Sequence, residues 1–275
     1  MSEEDIALDE KRIYGDKRET TVAYVASDLG LTRVAVSGDQ VGRVALVHRG
    51  TVRDVAGGDG RLLAATETDV LVGGEAGFES TGFGPAVAVG VGPDGLFAAD
   101  GDGRVAGLAG DEWRSIGTVE DPRRFDGACL AAADGVHRIG PDGLEPLGLS
   151  AVRDVAATGP HAATADGLYR RRNGSWTRVR EGACDRVSAI DGTAHLVAGG
   201  DLFERTETGW ARCALPVAEP VADVAAGDVP YAVTVDGTFL VDADPAATPD
   251  GAGGWRHRSL GLPAVTALAV PGGPR

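Results

Sequence analysis

Several kinds of residue and segment are scarce in this chain, and each scarcity excludes a class of protein. No apolar run reaches the ~18 residues that a membrane-spanning helix needs, so we expect no transmembrane helix. The acidic start of the chain, MSEEDIALDE, lacks the apolar stretch of a secretory signal, which favours a cytoplasmic location. Cys129, Cys184 and Cys213 form no CxxC motif and no Cys/His pair, which argues against a zinc site.

Lysine is almost absent, and the chain is strongly acidic. Lys11 and Lys17 are the only lysines among 26 basic residues, and the formal net charge is −15. Such a surface repels polyanions, so we expect no binding to nucleic acid or to anionic membranes. Many Asp, few Lys and abundant Ala, Val and Gly resemble the composition of haloarchaeal cytosolic proteins, whose surface charges are screened by molar salt. The alternative is a moderately acidic protein from another organism with a GC-rich genome.

The pentapeptide VRDVA occurs twice, at residues 52–56 and 152–156, and this gap of 100 residues contains three shorter repeats. An Asp recurs between the second and third predicted strands of each unit, at spacings of 32 to 41 residues. A large residue opens the fourth strand, and all four tryptophans of the chain fall at this position. The Asp positions are Asp28, Asp69, Asp102, Asp134, Asp166, Asp201 and Asp236, and the fourth-strand positions are Val44, Phe78, Trp113, Leu144, Trp176, Trp210 and Trp255.

The repeat predicts an all-β fold, a seven-bladed β-propeller of four-stranded antiparallel blades. Leucine-rich or helical repeats would show other periods, and neither period is present. We expect a charged N-terminal arm at residues 1–19 and one propeller domain at residues 20–275, existing as a monomer.

Closing the ring requires one end of the chain to complete blade one. The segment AVTALAV at residues 264–270 matches the innermost strand of the repeat, and no fourth strand follows it. The segment KRIYG at residues 11–15 also lies where the first strand of blade one belongs. We prefer the C-terminal strand, and the N-terminal segment remains the alternative.

The segment GLYRRRNGSWTRV, residues 167–179, resembles the repeats of BNR or Asp-box propellers. Gly174 and Trp176 match the glycine and tryptophan of that box, one residue too close together, and its Ser and Asp have no counterpart. The chain as a whole resembles an uncharacterised family of haloarchaeal β-propeller proteins. This resemblance implies the propeller fold and a high-salt cytosol, and it implies no particular activity.

Two sets of aspartates are candidates for a metal site. The repeated Asp between the second and third strands suits the turn of a hairpin, and a cation-binding rim is the alternative. Asp54, Asp154 and Asp223 lie on the innermost strands, near the predicted channel. There they accept hydrogen bonds from backbone N–H groups or, as the alternative, hold a divalent cation in a hydrolase or lactonase.

We expect a non-catalytic protein-interaction scaffold without a cofactor. No nucleophile–base pair, metal-ligand spacing or phosphate loop stands out, and the histidines fall at different places in their blades. The basic hairpin formed by Arg170, Arg171, Arg172 and Trp176 is the candidate contact with a protein partner, because Arg and Trp are common anchors of interfaces.

The composition generates a test of habitat. If the acidic surface is adapted to high salt, the temperature of thermal unfolding should rise from low to molar NaCl, because the salt screens repulsion between carboxylates. Equal melting temperatures at the two salt concentrations, measured by circular dichroism, would contradict the adaptation.

Overall fold

The computed structural model describes residues 20–74, 77–190, 192–244 and 254–271. These residues form 28 β-strands and contain no helix. The predicted N-terminal arm and residues 245–253, between the third and fourth strands of blade seven, lie outside the described residues.

The strands pair into seven four-stranded antiparallel sheets, which are the blades of a propeller. The innermost strands of successive blades contact one another around a closed ring. The predicted fold class is therefore confirmed, including the number of blades.

From the innermost strand outward, the first four blades are formed as follows. Blade one has β28 (Val265–Ala269), β1 (Thr20–Ser27), β2 (Gly30–Ser37) and β3 (Gln40–Arg49); blade two has β4 (Val52–Gly58), β5 (Arg61–Thr66), β6 (Val70–Gly74) and β7 (Gly77–Ser80); blade three has β8 (Ala88–Gly92), β9 (Gly95–Ala99), β10 (Arg104–Ala109) and β11 (Glu112–Thr118); blade four has β12 (Pro122–Asp126), β13 (Cys129–Ala132), β14 (Gly135–Gly140) and β15 (Gly143–Gly148).

The remaining three blades have the same order. Blade five has β16 (Val152–Ala156), β17 (His161–Thr164), β18 (Gly167–Arg172) and β19 (Ser175–Glu181); blade six has β20 (Arg186–Ile190), β21 (Thr193–Ala198), β22 (Asp201–Thr206) and β23 (Gly209–Arg212); blade seven has β24 (Val221–Ala226), β25 (Pro230–Thr234), β26 (Thr238–Asp242) and β27 (Trp255–Ser259). We call the face where the innermost strands begin the upper face, and the face where they end the lower face.

Blade one is closed by the C-terminal strand β28, as preferred from the sequence. β28 pairs antiparallel with β1, and Ala269 lies opposite Tyr24. The Thr266 hydroxyl also donates a hydrogen bond to the carbonyl oxygen of Val52 in blade two, at 2.9 Å. The competing segment at residues 11–15 lies outside the described residues.

Each interface between neighbouring blades, here called a seam, contains one apolar cluster. The large residue predicted to open each fourth strand packs in the seam with the preceding blade. Trp113, for example, packs edge-on against Phe83 at a ring-centroid distance of 4.9 Å. Burying such a side chain contributes roughly 1.5–3 kcal/mol. The seven residues at this position are Val44, Phe78, Trp113, Leu144, Trp176, Trp210 and Trp255.

The repeated aspartates lie at the turns between second and third strands, on the upper face. Among them, the carboxylate of Asp69 accepts hydrogen bonds from Ser80 and from the backbone N–H groups of Gly82 and Gly84. Burial would raise the pKa of Asp69, but these hydrogen bonds lower it below its usual range. In blade three the acceptor is Asp100 rather than the predicted Asp102, whose own N–H donates to Asp100.

Removal of residues 264–275 should abolish cooperative unfolding, because blade one loses its innermost strand and the seams on both sides lose apolar partners. Removal of residues 1–10 is the control and should leave the melting temperature nearly unchanged. The substitution Leu268→Ala keeps the strand and should still lower the free energy of unfolding by about 2–5 kcal/mol, measured by urea denaturation. A stable, cooperative protein lacking β28 would contradict this closure.

Candidate functional site

The channel contains a layer of charged side chains that a repeated backbone irregularity places there. β4, β12, β16 and β24 each shift register by one residue near their start, as in a β-bulge. Bulges re-aim the side chain that follows them. The residues directly after the four shifts are Asp54, Arg124, Asp154 and Asp223.

Each of the three aspartates ties its own blade to the next one. Asp54 accepts a hydrogen bond from the N–H of Val89 at 3.0 Å. Asp154 accepts one from Val187 and Asp223 one from Leu268, both at 2.8 Å. The acceptors therefore connect blade two to three, five to six, and seven to one, and the last of these connections spans the ring closure.

Arg124 joins two of these carboxylates from across the channel. Its Nη1 lies 2.6 Å from Oδ1 of Asp54, and its Nη2 lies 2.6 Å from Oδ2 of Asp223. Burial acts to lower the pKa of Arg124, but Asp223, Asp54 and Asp154 raise it further above its usual range. Arg124 thus stays charged and compensates the negative charge of this layer.

At two carboxylates of the layer, burial outweighs the nearby positive charge. Burial raises the pKa of Asp154 to about 6, although Arg124 and Arg186 act against this rise. Burial likewise raises the pKa of Asp54. Arg186 supplies a second guanidinium, with its Nε 3.9 Å from Oδ1 of Asp223.

This arrangement does not fit a divalent cation at Asp54, Asp154 and Asp223. Their oxygens face backbone N–H groups and the guanidinium of Arg124, which a cation would have to displace. Among the described residues, no group of three or more His, Cys, Asp or Glu side chains is arranged to hold a metal ion. The geometry agrees with the interpretation that these aspartates accept hydrogen bonds from the backbone.

The structure divides the residues of the predicted basic hairpin between two seams. Trp176 packs among apolar residues of blades four and five, and its indole N–H donates to the Leu147 carbonyl at 2.8 Å. Side chains alternate along a strand. Arg171 accordingly faces blade four, where its charge acts to lower the pKa of the Cys129 thiol. Arg170 and Arg172 face blade six, where their charges act to lower the pKa of His161. The charge of Arg205, from blade six, acts in turn to lower the pKa of Arg170.

Three residues of the charged clusters, Arg124, Arg205 and His161, are not marked by any of the sequence patterns described above. Arg124 could have been found from the repeat, since it occupies in blade four the position of Asp54 in blade two. Arg205 occupies in β22 the position that Arg171 occupies in β18. Each arginine lies three residues after a buried leucine that pairs with the second strand of its blade, Leu202 in β22 and Leu168 in β18. His161 is 2 % exposed, and nothing in its local sequence indicates an unpartnered ring nitrogen.

The ring of four-stranded blades with a charged layer across its channel defines the protein as a β-propeller. Residues 7–271 match the family described as "Beta-prop_HVO_0234-like, beta propeller". The match spans nearly the whole chain, so the protein belongs to this family. The comparison with curated proteins gives no match.

Solved structures share the fold at low sequence identity. The WD40 domain of Neurospora crassa Pan2 superposes with a TM-score of 0.61 at 11% identity, over 78% of this chain and 83% of that one. The WD40 repeats of RRP9 give 0.59 at 12%, over 78% and 84%. The computationally designed Ika8 protein gives 0.56 at 14%, over 92% and 91%. These likenesses concern the fold alone.

The substitution Arg124→Met should lower the free energy of unfolding by about 3–5 kcal/mol, because it leaves buried carboxylates without their counter-charge. Arg138→Met is the matched control: the Arg138–Glu145 pair is exposed, and its loss should cost about 0–1 kcal/mol. Urea denaturation at neutral pH measures both values.

Adding Asp54→Asn and Asp223→Asn to Arg124→Met should restore part of the lost stability, because it removes the uncompensated charge. Equal losses for Arg124→Met and Arg138→Met, or no recovery in the triple variant, would show that the layer is not the electrostatic tie described above.

Proposed function

We propose that this protein is a non-catalytic protein-interaction scaffold. The observation that carries the proposal is the contrast between two sets of arginines. Arg124 in the channel is buried and paired with carboxylates that connect blades. At the lower end of the seam between blades five and six, burial and the like charges of Arg172 and Arg205 lower the pKa of Arg170, and no carboxylate of the described residues contributes to this shift.

The rigidity of the fold supports this proposal. A closed ring of blades presents loops on two rigid faces, and binding residues are commonly carried on loops that a rigid scaffold positions. The likeness to WD40 domains is a likeness of fold, so the argument for function rests on the surface of this chain.

The alternative, a metal-dependent hydrolase or lactonase, finds no observation in its favour. The channel aspartates already contact a guanidinium and backbone N–H groups. The three buried histidines of the described residues, His137, His161 and His195, lie in three different blades. We therefore propose a function in binding rather than in catalysis.

We further propose that the protein works as a monomer in the cytosol of a halophile and that its blades are degenerate Asp-box units. The acidic surface supports the habitat and disfavours nucleic acid and anionic membranes as partners. The residues that the structure describes include no helix capable of spanning a membrane.

The double variant Arg170→Glu/Arg172→Glu should fail to capture the partner that the unmodified protein captures from a lysate of the source organism at native salt. Charge reversal turns an attractive contact into a repulsive one. Arg114→Glu is the control, since Arg114 is an exposed arginine on the outer strand of blade three.

Quantitative mass spectrometry of the captured proteins measures the difference. Equal capture by the double variant and the unmodified protein would rule out this surface. The absence of any captured protein, together with a small molecule that raises the melting temperature, would replace the scaffold with a ligand-binding function.

A further inference from the structure

The lower end of the seam between blades five and six concentrates positive charge around a buried histidine. His161 opens β17 and pairs across the sheet with Arg170 of β18. Arg172 lies two residues further along β18, on the same side of the strand. On blade six, the positive charge of Arg205 in β22 acts to lower the pKa of His161, and the Trp210 ring lies edge-on to the His161 ring at a ring-centroid distance of 6.3 Å. We call Arg170, Arg172, Arg205 and His161 the arginine seam.

Two buried polar atoms of the arginine seam have no hydrogen-bond partner. They are Nδ1 of His161 and Nε of Arg170. His161 is only 2 % exposed, so solvent does not surround its ring. A buried polar atom without a partner costs free energy, and both atoms belong to cross-strand neighbours. With the His161 proton on Nδ1, two cross-strand neighbours of the arginine seam each offer a buried donor without an acceptor among the described residues.

The electrostatics of the arginine seam favour a negative group. Burial lowers the pKa of His161 to about 4, and Arg170, Arg205 and Arg172 contribute to the shift. Burial also lowers the pKa of Arg170, and the like charges of Arg172 and Arg205 lower it further. Among the described residues, every charged group that shifts the pKa of His161 or Arg170 is positive. His161 is therefore neutral near pH 7 and can donate a hydrogen bond without adding charge.

We propose that the arginine seam binds one carboxylate group, supplied by an acidic segment of a protein partner. The identity of the donor as a protein rests on the function proposed above, whereas anion binding itself does not. Guanidinium groups match the geometry of carboxylates with two parallel hydrogen bonds. An extended polyanion is disfavoured, because the rest of this acidic chain would repel it. A short acidic segment places one carboxylate in the seam and brings only a few further charges near the ring, so this repulsion stays small.

The test uses the purified protein and defined probes at constant ionic strength, with chloride as the balancing anion. The probes are a blocked hexaglutamate peptide, sodium acetate and sodium sulfate. Binding is followed by the ¹⁵N chemical shift of the His161 imidazole at pH 7, assigned with a His161→Gln variant. A hydrogen bond from Nδ1 to a carboxylate should shift this signal in a saturable manner.

Hexaglutamate should saturate the signal at a lower concentration than acetate. Arg170→Gln and Arg205→Gln should each weaken hexaglutamate binding roughly tenfold, as expected for the loss of one charge-assisted hydrogen bond. Arg114→Gln removes an exposed arginine elsewhere and should leave binding unchanged. Melting curves confirm that each variant is folded before it is titrated.

Three results would overturn the proposal: no saturable shift with any probe, a shift with sulfate alone, or equal weakening by Arg114→Gln. Because these titrations contain no partner protein, their outcome is independent of the capture experiment. Anion binding without a captured protein would reject the scaffold and keep the site, and capture without anion binding would do the reverse.

Discussion

The packing of each blade against the next is the interaction on which the rest of this structure depends. A four-stranded sheet with two apolar faces cannot bury either face alone, and the ring gives every face a neighbour. Phe239 of blade seven and Val34 of blade one meet in the seam that closes the ring, together with Leu268 of β28. Since the last seam requires the same burial as the others, the C-terminal strand is as necessary to the fold as any internal strand.

The charged layer in the channel follows from the same ring geometry. The hydrogen bonds from Val89, Val187 and Leu268 show that Ala88, Arg186 and Ala267 occupy the channel position in blades three, six and one. From blade two to blade seven that position holds Asp54, Ala88, Arg124, Asp154, Arg186 and Asp223. Apart from Ala88, the signs alternate. A buried charge costs much free energy unless it is paired, so neighbouring like charges at this position would oppose closure of the ring.

Most of the fold could be predicted from the sequence, but much less of the candidate site could. Periodic features such as the turn aspartates and the fourth-strand tryptophans recur at every blade, so the count of blades could be predicted from spacing. Ring closure needed the structure, because the segments at residues 11–15 and 264–270 both fit the pattern. Arg124 contacts Asp54 and Asp223, which are 70 and 99 residues away, and no local pattern encodes such contacts. Trp176, which the sequence predicted to contact a partner, packs between blades four and five, and its local sequence does not distinguish the two environments.

Some arginines of this protein form ion pairs with its own carboxylates, and others have no such partner among the described residues and remain available for binding. In a chain with a net charge of −15, about half of the described arginines lie within 4.0 Å of a carboxylate oxygen, and Arg153 and Arg212 each lie 2.6 Å from one. Arg170 and Arg205 instead lie on facing sides of one seam, where their like charges repel each other. In an isolated ring, nothing among the described residues compensates this repulsion. An anionic group bound between them would convert it into attraction, so the occupant would also strengthen the seam that holds it.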